Sequence, residues 1–480
     1  MKSTQPPPSL ACNRYRNLPP VAGLCRLQDG IRTGLSVGQC VSRLKRYHYA
    51  LRRLHGIFVA HLTAEQIYEL KLAFSLHAHY CAEHVAAMRQ RVGEMREPPL
   101  GLEAVPDPAL QTFFDEIQNA PTTELLILGV YEKALPALKS AFERHRQDSN
   151  RLIDSPTLRV CRFAAIEVQE MIDFGTEAAK CIVDRARRNE AQDWLGLLDL
   201  LLADAGALEG SEPPQKSRRQ VMYSQTQFQY DHTPKRDERF SDPYNMGVHA
   251  ETFLYDEKFS ARDKTLMIFF KRLREIDVPE MMASIIQETK DKPWEYYRQM
   301  TRQLWDEARH AIMGELGFTR LGIDWSEYTR PPFTWSLALN TQLAPKERHA
   351  VLYFIEQGLM PKTGKRYEWE VATESGDPFA ALCQDYDWAD EVLHARIGRD
   401  WYAQEFRTNK EAIDYGDQNW SRVLIDWARF REAGLTEHQN WWPNLYRKGC
   451  EVWGVEPDPN TLNYQHTYES TRADLKTLAE

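Results

Sequence analysis

Apolar residues recur three and four positions apart along most of the chain and strict alternation is scarce, so the pattern predicts an all-α protein. After an irregular lead-in, residues 1 to about 40, helical periodicity begins, and a long amphipathic stretch runs from Ala64 to Met95 behind an N-capping Thr63. Helices are predicted over 122–148, 155–186 and 190–206, the second introduced by Asp154, Ser155 and Pro156. Together they make an N-terminal helical domain over 41–207. Glu209 to Arg219 is rich in turn formers and the polar stretch up to 260 has no clear period, so 208–260 reads as a linker. From Ala261 the helical period returns over 262–290, 293–316, 344–360 and 378–405, with turn signals at Pro293, Pro331 to Pro332 and Gly376 to Pro378. This is a four-helix bundle over 261–405 with one longer crossover, 317–343. Residues 406–480 form a Trp-rich extension whose rings (Trp420, Trp427, Trp441, Trp442, Trp453) are expected to cover a core.

Composition narrows the function classes. A formal net charge of -9 over 480 residues disfavours a nucleic-acid partner, while leaving room for a local basic patch. The eight cysteines are scattered without a C-x-x-C, so neither zinc sites nor a disulfide framework is expected. The apolar patch Val21 to Leu24 is too short for a signal segment, and the longest apolar stretch, Trp194 to Leu208, is interrupted by Asp199 and Asp204. The expectation is a soluble, cytoplasmic protein with no membrane association.

Chemistry enters with a nine-residue pattern, D-E-x-x-H-A-x-x-G, that occurs at Asp306 to Gly314 and again at Asp390 to Gly398. On a helix, residues three apart share a face, so Glu307 with His310, and Glu391 with His394, can each grip one metal ion. One E-x-x-H is roughly what chance supplies in a chain of this length and composition. Here there are two, and both carry the Asp, the Ala and the Gly. Di-metal carboxylate bundles need, in addition, one Glu from each of two further helices. Glu356 is an acid on an otherwise apolar face with Leu352, Tyr353, Leu359 and Met360, and a charge does not rest there without a partner. The first helix offers Glu280 and Glu275, which cannot both face inward. Glu280 shares a side with Leu266, Phe269 and Leu273 and is preferred, although Asp277 to Glu280 also reads as a helix start, and Glu275 better matches the height of Glu307.

Oxygen-rich ligation with one imidazole per ion suits iron or manganese better than zinc. Asp306 and Asp390 each precede a ligand and are placed to accept the free N–H of a histidine on the opposite helix. Gly314 and Gly398 imply either close helix approach or room for substrate, and Tyr353 either packs in the core or lines that room.

These residues resemble the ferritin-like superfamily of di-iron carboxylate proteins, in the order Glu280 (or Glu275), Glu307 with His310, Glu356, Glu391 with His394. The form D-E-x-R-H at Asp306 to His310 is similar to bacterial hydrocarbon monooxygenases and ribonucleotide reductase small subunits, where the Asp supports a ligating His across the bundle. Gly376 to Trp401 is more similar to bacterial ferritin-like proteins without an assigned reaction, and more distantly to the tRNA-hydroxylating branch. The resemblance covers about 262 to 405. It implies a ferritin-like four-helix bundle, two iron ions (an Mn/Fe pair accepts the same ligands), and an O2-dependent oxygenase or oxidase. Its catalytic set would be Glu307, His310, Glu356, Glu391 and His394, its partners O2, a small organic substrate and an external electron donor; a homodimer is the assembly considered. A ferroxidase or iron-handling protein, and a structural bundle without metal, are the alternatives. The N-terminal domain holds acids and histidines, including His79 with Glu83, Glu132, and Glu167 with Glu170, but no E-x-x-H, and reads as a degenerate second bundle whose polar groups are satisfied or solvated.

Overall fold

A computed structural model of the chain describes residues 15–96, 101–215, 220–424 and 427–468. The lead-in up to residue 14, linker residues 216–219 and the side chain of Trp427 lie outside them. Among the described residues every regular element is a helix, and none is long and apolar enough to cross a membrane. The described cysteines are all free.

The chain divides into two units, Met1–Ile57 with Tyr80–Gln229, and Phe58–His79 with Tyr230–Glu480. The first is built on α1 (Val37–Leu62), α2 (Tyr68–Glu94), α3 (Pro108–Gln118), α4 (Leu135–Asp148), α5 (Ser155–Ile182) and α6 (Gln192–Asp204); the end of α1 and the start of α2 cluster with the second unit. A wider π-turn, Leu128–Ala134, leads into α4, so the helix expected over 122–148 is continuous but changes pitch. Packing of α4 on α5 and of α3 on α6 buries Phe113, Phe142, Trp194 and Leu198.

The second unit contains α7 (Ala261–Arg274), α8 (Asp277–Glu288), α9 (Trp294–Arg320), α10 (Thr334–Gln342), α11 (Pro345–Gly358), α12 (Lys365–Glu374), α13 (Pro378–Trp401), α14 (Asn409–Leu424) and α15 (Trp442–Trp453). The single helix expected over 262–290 is broken at Glu275 and Ile276. Pro279 has no N–H to donate to the Glu275 carbonyl, and the chain closes instead through tighter bonds, Glu275 N to Arg272 O, Ile276 N to Leu273 O and Val278 N to Glu275 O. Helix α9 packs on α7, α8 and α13, and α11 packs on α8 and α13, which closes four helical walls around one interior.

Two glycines set the spacing. A Cβ on Gly314 would lie 2.2 Å from Leu273 N and 2.4 Å from Phe269 O, so its absence lets α9 touch the backbone of α7. A Cβ on Gly398 would lie 2.3 Å from Tyr353 Cδ2. Tyr353 is fully buried, and its hydroxyl donates to Asn409 Oδ1. Of the two readings of Gly314, Gly398 and Tyr353, the structure takes close packing: backbone and ring fill the space a substrate pocket would need.

The Trp-rich extension covers the core, with Trp441 and Trp442 buried beside Phe253, Phe270 and Tyr446. Trp420 instead stacks on Trp335 at 3.7 Å.

Candidate metal centre

Four elements deliver acids and imidazoles to the interior of the second unit. The three-residue spacing puts Glu307 and His310 on one face of α9, and Glu391 and His394 on one face of α13. Glu356 comes from the last turn of α11, and Glu275 from the residue that ends α7. All but Glu275 are buried, and Glu275 is half-buried.

The Glu307 carboxylate lies between the two imidazoles, Oε1 at 3.1 Å from His394 Nδ1 and Oε2 at 3.5 Å from His310 Nδ1. His394 Nδ1 also faces Glu391 Oε2 at 3.5 Å and Glu356 Oε1 at 3.9 Å. His310 Nδ1 faces Glu275 Oε2 at 3.4 Å and Asp387 Oδ1 at 3.4 Å. Glu307, Glu356, Glu391 and His394 bring one donor atom each within 4.8 Å of one another, as do Glu275, Glu307 and His310, and His310, Asp387 and Glu391. The three groups overlap: the first shares Glu307 with the second and Glu391 with the third, and the last two have His310 in common.

The outer nitrogen of each ring faces a carboxylate from across the bundle, hydrogen-bonded at His310 and in ion-pair range at His394. His310 Nε2 lies 3.2 Å from Asp390 Oδ2, and His394 Nε2 lies 3.5 Å from Asp306 Oδ2. Arg309 donates to both aspartates, at 2.7 and 2.6 Å, and Arg302 to Asp306 at 2.9 Å. Each ring thus presents Nδ1 inward and Nε2 to a carboxylate, the orientation that metal-bound histidines share.

Glu280 is elsewhere. It is fully buried, but its carboxylate accepts from Lys71 Nζ at 2.9 Å, Arg236 Nε at 3.1 Å and Nη2 at 3.0 Å, and Ser336 Oγ at 2.7 Å. Burial alone would push its carboxyl up; Arg236 and Lys71 outweigh that and bring it down to about 2. The preference for Glu280 as the first-helix acid is thereby corrected in favour of Glu275. The helix break rotates the chain between them, so the apolar side that Glu280 was taken to share belongs to a different helix.

Three charged residues of the interior were not anticipated. Asp387 stands one turn before Glu391 on α13, a placement the same i, i+4 spacing could have flagged. Arg272 pairs with Asp387 and reaches Glu275 at 2.7 Å. Lys365, at the start of α12, lies 2.7 Å from Glu391, 2.9 Å from Asp387 and 3.7 Å from Glu275. No apolar period marks the α12 segment, so neither the helix nor its lysine was legible.

Five interior carboxylates (Glu275, Glu307, Glu356, Asp387, Glu391) therefore face two fixed cations, an excess of negative charge that a buried site does not sustain. Protons make up the difference. Burial disfavours charge on both rings, but Asp387, Asp390, Glu275 and Glu307 around His310, and Asp306, Glu307 and Glu391 around His394, raise both imidazoles well above their ordinary value. Burial together with Glu391 and Glu307 raises the Glu356 carboxyl well above the carboxylate range. Even so, hydrogen bonding is incomplete: among the described residues, Glu275 Oε2, Glu356 Oε2, Glu391 Oε2, His310 Nδ1 and both ring nitrogens of His394 are buried without a hydrogen-bond partner. Unmet ligand atoms converging from four elements, in a site whose carboxylate charge is balanced by protons that a cation could replace, fit a bound metal ion.

The acids of the first unit take ordinary partners, Glu132 with Arg188, Glu170 with Tyr80 and Glu167 with His84. Among its described residues one ligand-like group, Cys40, His145 and Asp154, is closed by Arg91 on Asp154, and burial with Asp154 pushes the Cys40 thiol up to about 12. Compared with family models, with curated proteins and with solved structures, the chain matches none.

Proposed function

We propose that the second unit is a ferritin-like di-iron carboxylate bundle acting as an O2-dependent oxidoreductase on a small organic substrate. The observation that carries this reading is the shared Glu307, one carboxylate oxygen toward each imidazole, with Glu275 and Glu356 closing the two ends. Glu275, Glu307, His310 and Glu391 would hold one ion, and Glu307, Glu356, Glu391 and His394 the other. When bound, two iron ions supply reductive activation of O2. The protein's share is to orient and to exclude water. Asp306 and Asp390 fix the histidine rings, and Gln303 Nε2 holds Glu356 Oε1 at 3.0 Å. Lys365 and Arg272 anchor Asp387 and the outer oxygens of Glu391 and Glu275.

Room for a substrate lies beside Glu275, in a cavity of about 430 Å³ with Val278, Met281, Trp335, Leu339, Ile355 and Trp420 among its walls. Those walls favour a predominantly apolar molecule, presented at the Glu275 end. Anaerobic reconstitution with ferrous iron followed by an oxygen pulse is expected to load about two irons per chain and give a di-ferric absorption band; absence of both iron uptake and the band refutes the proposal.

The fixed cations favour a second reading, in which protons, Lys365 and Arg272 neutralise a purely structural polar core. Metal analysis of protein purified without chelator separates the two.

A further inference from the structure

The first unit carries a cleft that the metal centre does not explain. It has a volume of about 590 Å³ and is lined by Arg146, Arg151, Arg159 and Arg162 together with Gln147 and Ser155. Arg146 ends α4, Arg151 lies in the turn that follows, and Arg159 and Arg162 stand on the first two turns of α5. Five other arginines of this unit sit in ion pairs, Arg43 with Asp148, Arg53 with Asp115, Arg91 with Asp154, Arg144 with Glu212 and Arg188 with Glu132. Among the described residues none of the four cleft arginines has a carboxylate within 4.0 Å. The one acid of the lining, Glu143, is engaged by Lys139 at 3.4 Å. Asp154, at the head of α5, is turned to Arg91 and Thr157.

Four guanidiniums on one concave surface repel one another, in a chain whose net charge is -9. An anion with several oxygens offsets that cost, and guanidinium forks match phosphate geometry. Arg159 and Arg162 lie over the ring of Phe163, at 4.8 and 5.3 Å from its centre, a cation–π arrangement that supports both guanidiniums where they line the cleft. The cleft volume falls in the range of small-molecule sites, roughly 300–1,000 Å³. We propose that this cleft binds an oligophosphate.

The test is titration of the full chain with pyrophosphate, ATP and a short single-stranded RNA, followed by calorimetry at low and at physiological salt. Saturable binding is expected, weaker by about tenfold at the higher salt. Arg159→Glu with Arg162→Glu should weaken it by about tenfold or more, whereas Arg187→Glu, an exposed arginine paired elsewhere in the unit, should not. Arg146→Gln with Arg151→Gln gives a second, milder variant, and circular dichroism checks the fold of each. Binding of pyrophosphate or ATP identifies a small ligand, and binding of RNA alone identifies the same phosphate chemistry on a strand. Absence of saturable binding by all three, or binding indifferent to both double variants, overturns the proposal. Iron loading is not involved, so the outcome is independent of the metal centre.

Discussion

Glu275 and Glu280 stand five residues apart and meet opposite surroundings, one beside an imidazole and unmet ligand atoms, the other locked between Lys71 and Arg236. Glu280→Gln would leave two buried cations short of their partner and is expected to cost about 3–5 kcal/mol of stability with metal stoichiometry unchanged. Glu275→Gln should do the reverse, lowering the metal content with a smaller loss in chemical denaturation. Equal metal loss in both variants would contradict the assignment. The glycines are similarly specific. Gly314→Ala drives a Cβ into the backbone of α7, which cannot swing away, so a loss of about 1–3 kcal/mol is expected from urea unfolding. A neutral result there would mean that α7 and α9 are further apart than described.

At the scale of elements, the sequence was most readable where chemistry and period coincide. Both E-x-x-H helices, the acid of α11 and the two aspartates that steady the rings lie on faces that simple i, i+3 and i, i+4 counting identifies. What escaped was non-local or non-periodic. The break before α8 was hidden because its apolar residues continue the stripe of α7, although Asp277 and Pro279 carried a helix-start signal. Helix α12 opens Lys365, Arg366, Tyr367, Glu368, a polar beginning that gives no sign that Lys365 and Glu368 are fully buried against Asp387 and Lys271. Their burial is decided by partners on other helices. Lys365→Met should therefore destabilise the metal-free protein by about 3–5 kcal/mol by stranding Asp387 and Glu391, with part of the loss recovered on loading a divalent ion. Thermal melts with and without metal give the comparison, and an unchanged metal-free melting temperature would sink it.

Across the whole molecule, burial holds several histidines neutral: His55 and His77 are brought down to about 3, and His349 to about 4, each by desolvation; His48 comes down to about 4 by desolvation and then Arg89. Their folded values lie below the unfolded value of 6.5, so the unfolded chain binds protons that the native chain does not. Stability is then full above pH 6.5 and falls as pH drops through the window toward 4 and 3. Urea midpoints should decline across that window, and His77→Leu should flatten the decline; a midpoint constant between neutrality and the lower end would contradict the burial. The central claim, that four helical walls bring their acids and imidazoles to one place able to hold two ions, is tested most directly by anomalous diffraction from crystals grown with manganese or ferrous iron. Two peaks are predicted, both touching Glu307, one beside His310 and Glu275 and the other beside His394 and Glu356. A single peak, or none between these residues at saturating metal, would contradict it.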